Sequence, residues 1–239
     1  MIAFPAEHGC PAFHESPSPI PPHHITQRGH RGNDVFFTRA DRVDYLSTLV
    51  SCKAELELRL YAYCLMTNHV HFVIDPRQDP RRISQLMHRL ASRHARRLNK
   101  AHGWSGSIWE SRFHSSPIDT ERYLLTCGRY VDLNPVRAKL VQHPEAYEWS
   151  SYRARAGLSD CSWLDSDPAL EALAASASAR ASAYRELAAI PMNEEDLERI
   201  RSASVGNRLT GDQSFELEIQ LREGIDLARQ RRRRQKQSK

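Results

Sequence analysis

His69 and His71, in the stretch NHVHFVID (68–75), stand one residue apart at the head of an apolar run. Alternate side chains of a strand share a face, so the two imidazoles point together while Val70 and Phe72 point the other way, into a core. Two neutral imidazoles can share one metal ion, or they can simply pack and hydrogen-bond; two ligands alone do not complete a site. Further along, RYVDLNP places Tyr130 and Asn134 four residues apart, on one face of a helix. A phenol and an amide oxygen are then presented together, although the same spacing suits a core tyrosine and a helix-ending Asn before Pro135. Tyr123 offers a second phenol in the same helix.

Composition narrows the classes of protein in which such groups would work. The chain has 239 residues, 40% hydrophobic and 26% charged, enough for one domain with extensions or two small ones. No apolar stretch reaches the ~20 residues that span a bilayer, and MIAFPAEHGCPAFHESPSPIPPHH has neither a basic leader nor a continuous apolar segment. A cytoplasmic protein without a membrane partner is expected. The five cysteines form no CxxC pair and leave one over from any complete pairing, which favours reduced thiols. A formal charge of +5 favours an acidic partner without naming it.

Periodicity then predicts the elements that must position these groups. Residues 1–22 are proline-rich and read as a disordered leader. HHITQRG reads as a strand closed by Gly29, and ADRVDYLSTLVSCK as a helix with Val43, Leu46 and Val50 on its inner side. LRLYAYCLM and HVHFVI, separated by Thr67 and Asn68, form a hairpin. An amphipathic helix follows, with Ile83, Leu86, Met87 and Leu90 inward, Arg89, Arg93, Arg96 and Lys100 outward, and an end near Gly103. GSIWESRFHSSPI has strand character, and the helix of Tyr130 starts at Asp119 or Thr120 and stops at Pro135. The first six elements follow the split βαβ order of an α+β, ferredoxin-like antiparallel sheet with helices on one face, the Tyr130 helix being an addition. Residues 156–228 read as a helical C-terminal segment, with helices around 168–189, 194–203 and in DQSFELEIQLREGIDLARQ, and residues 229–239 as a basic tail.

Over residues 23–155, HITQRGHRGNDVFF, AYCLMTNHVHFVI, SIWESRFHSSPID, RYVDLNPVRAKLV and YEWSSYRA resemble, in order and at fitting spacings, the REP-associated tyrosine transposases, a branch of the single-tyrosine HUH transposases. A weaker likeness continues through GNRLTGDQSFELE. The resemblance implies a catalytic domain over 23–155 in which His69 and His71 bind a divalent ion, Tyr130 is the nucleophile and Asn134 is a third ligand. It implies a DNA endonuclease and strand transferase acting on single-stranded or hairpin DNA, of the repetitive extragenic palindromic type, through a covalent 5′-phosphotyrosine. Two features depart from the family: Thr67 stands where Pro is common, and His23–His24 opens the first strand where Tyr-His is frequent. Neither is expected to touch the catalytic groups.

The chemistry sets its own demands. A phenol of pKa ~10 is scarcely ionised near neutrality, and a dication that orients the scissile phosphate and stabilises its charge helps the attack. Mg²⁺ prefers oxygen ligands whereas imidazole suits Mn²⁺ and other transition metals better, so Mg²⁺ or Mn²⁺ is expected, with Mn²⁺ accepted readily. Arg28, Arg31, Arg112 and Arg137 flank the motifs and are either phosphate contacts or solvated charges; Trp109 either stacks on an unpaired base or belongs to the core. A domesticated protein that binds hairpins without turnover is the alternative, and a metal-dependent hydrolase of a small phosphoester is a third reading that leaves Tyr130 unused. Monomer and homodimer both fit the sequence.

Overall fold

The computed structural model describes residues 20–119 and 121–206. The 1–19 part of the leader, the helix expected in DQSFELEIQLREGIDLARQ and the basic tail lie outside the described residues. Four strands, β1 (His23–Arg28), β2 (Arg59–Leu65), β3 (His69–Asp75) and β4 (His114–Pro117), form one antiparallel sheet in the order β2-β3-β1-β4. This is the ferredoxin-like arrangement. Hairpin β2–β3 turns at Thr67 and Asn68 as expected, and β1 inserts between β3 and β4, so the strand bearing His24 lies directly beside the strand bearing His69 and His71.

Helices α1 (Arg39–Glu55) and α2 (Arg81–His102) cover one face. Between them and the sheet lies a core that includes Ile25, Tyr45, Leu49, Phe72, Leu86 and Leu90. Helix α2 buries Ile83, Leu86, Met87 and Leu90 as predicted. Helix α1 is rotated from the predicted face: it buries Asp41, Tyr45, Thr48, Leu49 and Cys52, and leaves Val43 half exposed. The cause is local. Thr38 and Asp41 form a reciprocal capping box that fixes the first turn, and the Tyr45–Leu49–Cys52 stripe offers the sheet more apolar surface than a Val-based one.

The opposite face is covered by α3 (Glu121–Asp132), which packs with Ala62, Cys64, Val73, Cys127, Tyr130 and Val131 into a second core. Helix α3 ends three residues before Pro135, which has no N–H to continue the ladder; Pro135 instead occupies the first turn of a short helix, α4 (Asn134–Arg137). The strand expected over GSIWESRFHSSPI is confined to β4, and the residues before it form a loop joined to the end of β1 by a Gly29–Trp109 bridge. Gly29 tolerates no side chain, because a Cβ there would lie 2.2 Å from the Asn33 carbonyl oxygen.

The C-terminal helices are α5 (Tyr152–Arg155), α6 (Pro168–Glu171), α7 (Ala177–Ala189) and α8 (Glu194–Gly206). The predicted 168–189 helix is thus two helices, the second restarted by the Ser176 cap. A buried ionic network ties this region to α3. Arg155 lies between Asp132 (3.2 Å) and Asp167 (2.9 Å), while Ser151 and Tyr184 donate their hydroxyls to Asp132. Gly128 leaves the room that Arg155 needs: a Cβ there would meet its guanidinium at 2.7 Å. Breaking a buried pair of this kind strands the other charge and costs ~3–5 kcal/mol. The network therefore anchors the end of α3 two residues from Tyr130. Cys52, Cys64, Cys127 and Cys161 are free thiols, as the cysteine spacing implied.

Candidate active site

The sheet register collects the site from separate strands. Thr26 is opposite His71 and Arg28 opposite His69, while His24 is opposite Val73 on one side and Ser116 on the other. Strand alternation places all of these on the face that α3 covers. Tyr130 descends from α3 onto this face, its ring edge-on to His71 (centroids 5.9 Å apart) and to His24 (5.8 Å). His69 and His71 have ring centroids 4.9 Å apart.

A chain of hydrogen bonds assigns the tautomers. The Ser204 hydroxyl of α8 donates to the Ile200 carbonyl (2.7 Å), so toward His24 Nδ1 (3.0 Å) it can only accept. His24 therefore carries its proton on Nδ1, leaving Nε2 as the acceptor for His71 Nδ1–H at 3.0 Å. His71 is left with an Nε2 lone pair. Independently, Asn68 donates its Nδ2 to the Gly32 carbonyl, which directs its Oδ1 at His69 Nδ1 (2.6 Å) and again leaves Nε2 without a proton. Both imidazoles are thus held by one nitrogen with the other free to bind a cation, the usual arrangement of metal-ligating histidines.

Burial keeps these rings neutral. Desolvation lowers His69 to about 4, with the nearby Arg28 charge assisting, lowers His24 to about 3, and holds His71 well below its ordinary 6.5. His23, bonded to Ser115 (2.8 Å), is lowered to about 4 by the same burial. The unfolded chain would take up protons on these rings below pH 6.5, whereas the folded chain resists until about pH 4. The unfolded state then binds more protons, so stability should fall as pH drops from 6.5 towards 4. Melting temperatures across that range should show the decline, and His24→Gln should make it shallower; a flat profile in the parent protein would contradict the buried neutral cluster.

Asn134 lies below Tyr130 and donates its Nδ2 to the Tyr130 carbonyl (3.0 Å), so its Oδ1 is not committed by that bond. The Arg137 guanidinium lies over the Tyr130 ring, 4.4 Å from its centroid, and its buried Nη1 has no hydrogen-bond partner among the described residues. Such an N–H is a ready donor for a phosphate oxygen. The Tyr130 hydroxyl likewise has no partner among the described residues. His69, His71, Tyr130 and Arg137 are therefore brought together, and Asn134 is tied to them through the Tyr130 carbonyl. Arg28 joins the same face and folds over Gly32, while Arg31 and Arg112 are exposed on nearby loops.

One choice left open by the sequence is decided here, and one expectation changes. Trp109 is a core residue: it is 5% exposed and gives its indole N–H to the Ala91 carbonyl at 3.3 Å, so its ring is not available to a base. His24, expected to stand apart from the catalytic groups, is in direct contact with His71. Tyr123 is packed away from the histidines, beneath the Arg199 guanidinium of α8.

The donor set fits a divalent cation of modest softness. Among the described residues there is no group of three His, Cys, Asp or Glu side chains suited to holding a metal; what is present is two imidazole nitrogens, with the Asn134 amide one helical turn beyond Tyr130. Such a set leaves coordination positions for substrate oxygens, as a catalytic ion needs and a closed structural zinc site does not. His24 does not add a ligand, because its Nε2 is spent on His71.

Residues 23–134 match the family model described as Transposase IS200 like. No curated protein matches the chain. Among solved structures, the chain is similar to a REP-associated tyrosine transposase bound to a REP hairpin, with 14% identity and a TM-score of 0.46 over 64% of this chain and 97% of that one. It is also similar to a candidate transposase from Deinococcus radiodurans R1, with 16% identity and a TM-score of 0.34 over 59% and 97%. The family match begins at the first residue of β1 and ends at Asn134, enclosing both histidines and the tyrosine. Residues 23–134, a little under half of the chain, are thus similar to the IS200-like transposases.

Proposed function

We propose that this protein is a transposase-like endonuclease and strand transferase of single-stranded or hairpin DNA, working through a covalent link between Tyr130 and a DNA 5′-phosphate. The observation that carries the reading is the meeting of an unpartnered phenol with two imidazoles whose Nε2 lone pairs are both left open. A structural cluster would be expected to satisfy its polar atoms internally. The family match supports the same conclusion.

In this reading the Tyr130 oxygen attacks the scissile phosphorus, a tyrosine O–P bond forms, the P–O3′ bond breaks and the departing 3′-oxygen takes up a proton. Bond energy is conserved, so the reverse attack by a 3′-hydroxyl rejoins strands without ATP. Arg137 donates to a non-bridging phosphate oxygen and, stacked on the ring, holds the phenol's orientation. His24 and Asn68 keep His71 and His69 in the tautomers required of ligands. His69, His71 and Asn134 would hold Mg²⁺ or Mn²⁺, which supplies charge stabilisation at the phosphate.

The motif resemblance points to repetitive extragenic palindromes as the hairpins concerned. Incubation with labelled hairpin DNA bearing single-stranded flanks, with Mn²⁺, should yield cleaved DNA and an SDS-resistant protein–DNA band. Tight binding with neither product under any divalent ion would leave a hairpin-binding protein without turnover.

A further inference from the structure

The end of the sheet that carries His69 has a rim built from two loops. Residues 29–36 dock on the β2–β3 turn through Gly29 N–H to Asn68 O (2.8 Å) and Val35 N–H to Thr67 O (2.8 Å). Residues 104–110 dock beside them through His30 N–H to Ile108 O (2.8 Å) and Glu110 N–H to Arg28 O (3.0 Å). Two aromatic side chains face solvent here, Phe37 directly after the first loop (44% exposed) and Trp104 at the start of the second (46% exposed). They meet across the exposed end of α2. His102 stacks on Trp104 with centroids 4.3 Å apart and 17° between planes, and Phe37 closes on both, at 5.2 Å from His102 and 5.6 Å from Trp104.

The core explains none of this. Gly103 adopts a left-handed φ of 68° to end α2, and the turn after it places Trp104 outside, whereas Trp109 five residues later is packed within. An exposed cluster of three rings is costly unless it meets a partner. Three side chains, even at 150–250 Å² each, fall short of the ~800 Å² per partner of a stable protein interface. They do match the face of one or two nucleobases. In and directly beside these loops, Arg28, Arg31 and Arg112 outnumber Asp34 and Glu110, a balance that suits a phosphate backbone passing the rings.

We infer that Phe37, His102 and Trp104 form a stacking platform for an unpaired base of the DNA strand that runs to Tyr130, a role that rests on the DNA-cleaving function proposed above. The platform takes over the part that sequence offered to Trp109. Its specificity is for unpaired rather than particular bases, since every base has a π-face.

The test compares wild-type full-length protein with Trp104→Ala, Phe37→Ala and Trp104→Phe, on a hairpin with a single-stranded flank, a blunt hairpin, and flanked hairpins with one abasic position at a time. Trp104→Ala should weaken binding of the flanked hairpin by roughly 5- to 150-fold. It should leave the blunt hairpin unchanged, and Trp104→Phe should restore most of the loss. One abasic position should cost wild type the same factor and cost Trp104→Ala nothing further. Equal affinity of Trp104→Ala and wild type for the flanked hairpin, or equal losses on blunt and flanked hairpins, would overturn the platform while leaving cleavage by Tyr130 standing. A change of sedimentation from dimer to monomer with unaltered DNA affinity would assign the rings to a second copy instead. Absence of any DNA binding by wild type would overturn both the platform and the function on which it rests.

Discussion

Tyr130→Phe is expected to abolish strand cleavage and the covalent adduct altogether, while DNA affinity and melting temperature stay close to wild type. The substitution removes one oxygen, and that oxygen makes no hydrogen bond among the described residues. What the side chain contributes to packing is its ring: the edge-on contacts with His24 and His71 and the face under Arg137 all survive in Phe. Without the hydroxyl no O–P bond can form, so activity should fall to the uncatalysed level, at least ~10⁶-fold below an enzymatic rate. Tyr123→Phe should remain active. Tyr123 lies two turns earlier, ~10 Å along the axis, and its ring is engaged by Arg199 rather than by the histidines. Gel analysis of 5′- and 3′-labelled strands measures both variants, and a cleaving Tyr130→Phe protein would remove Tyr130 from the reaction.

His71→Ala and His69→Ala should each eliminate detectable cleavage, for related but unequal reasons. Either change removes one of the two imidazoles proposed to hold the ion, and a single remaining imidazole cannot fix an ion's position. His71→Ala also leaves His24 Nε2 without its donor inside a desolvated site, so it should cost more stability than His69→Ala, whose partner Asn68 is half-buried near the turn. His24→Ala should be intermediate, because the ligands remain but His71 is no longer held in one tautomer; losses of 10- to 100-fold in metal affinity or activity are typical of such supporting partners. Asn134→Ala should also be intermediate. Mn²⁺ binding followed by electron paramagnetic resonance separates loss of the ion from loss of folding. Undiminished Mn²⁺ affinity in both His69→Ala and His71→Ala would contradict a shared ion.

Much of this site is legible in the sequence. Strand alternation alone put His69 and His71 on one face, and helical spacing put Tyr130 with Asn134. The six-element order implied the sheet that brings them together. The role of His24 was legible in part: it alternates with Thr26 and Arg28, and a β1 strand beside β3 puts it on the histidine face. Its pairing with His71 depends on register, which periodicity does not supply. Ser204 carried no signal at all, since its bond to His24 arises from the docking of α8 against β1 and β4. The misassigned face of α1 and the choice left open at Trp109 have a common origin: local pattern does not say which of several apolar residues the sheet will accept. The exposed Trp104 shows the converse, for no composition rule distinguishes it from the buried Trp109.

The proposed function requires one covalent bond, between the Tyr130 oxygen and a DNA 5′-phosphate. Wild-type protein trapped with Mn²⁺ and a single-stranded or hairpin substrate, digested with nuclease and protease and sequenced by tandem mass spectrometry, should carry a nucleotide adduct on Tyr130 and on no other residue, with a free 3′-hydroxyl on the released strand. An adduct on Tyr123 or any other side chain, or cleavage that leaves the protein unmodified, would contradict it.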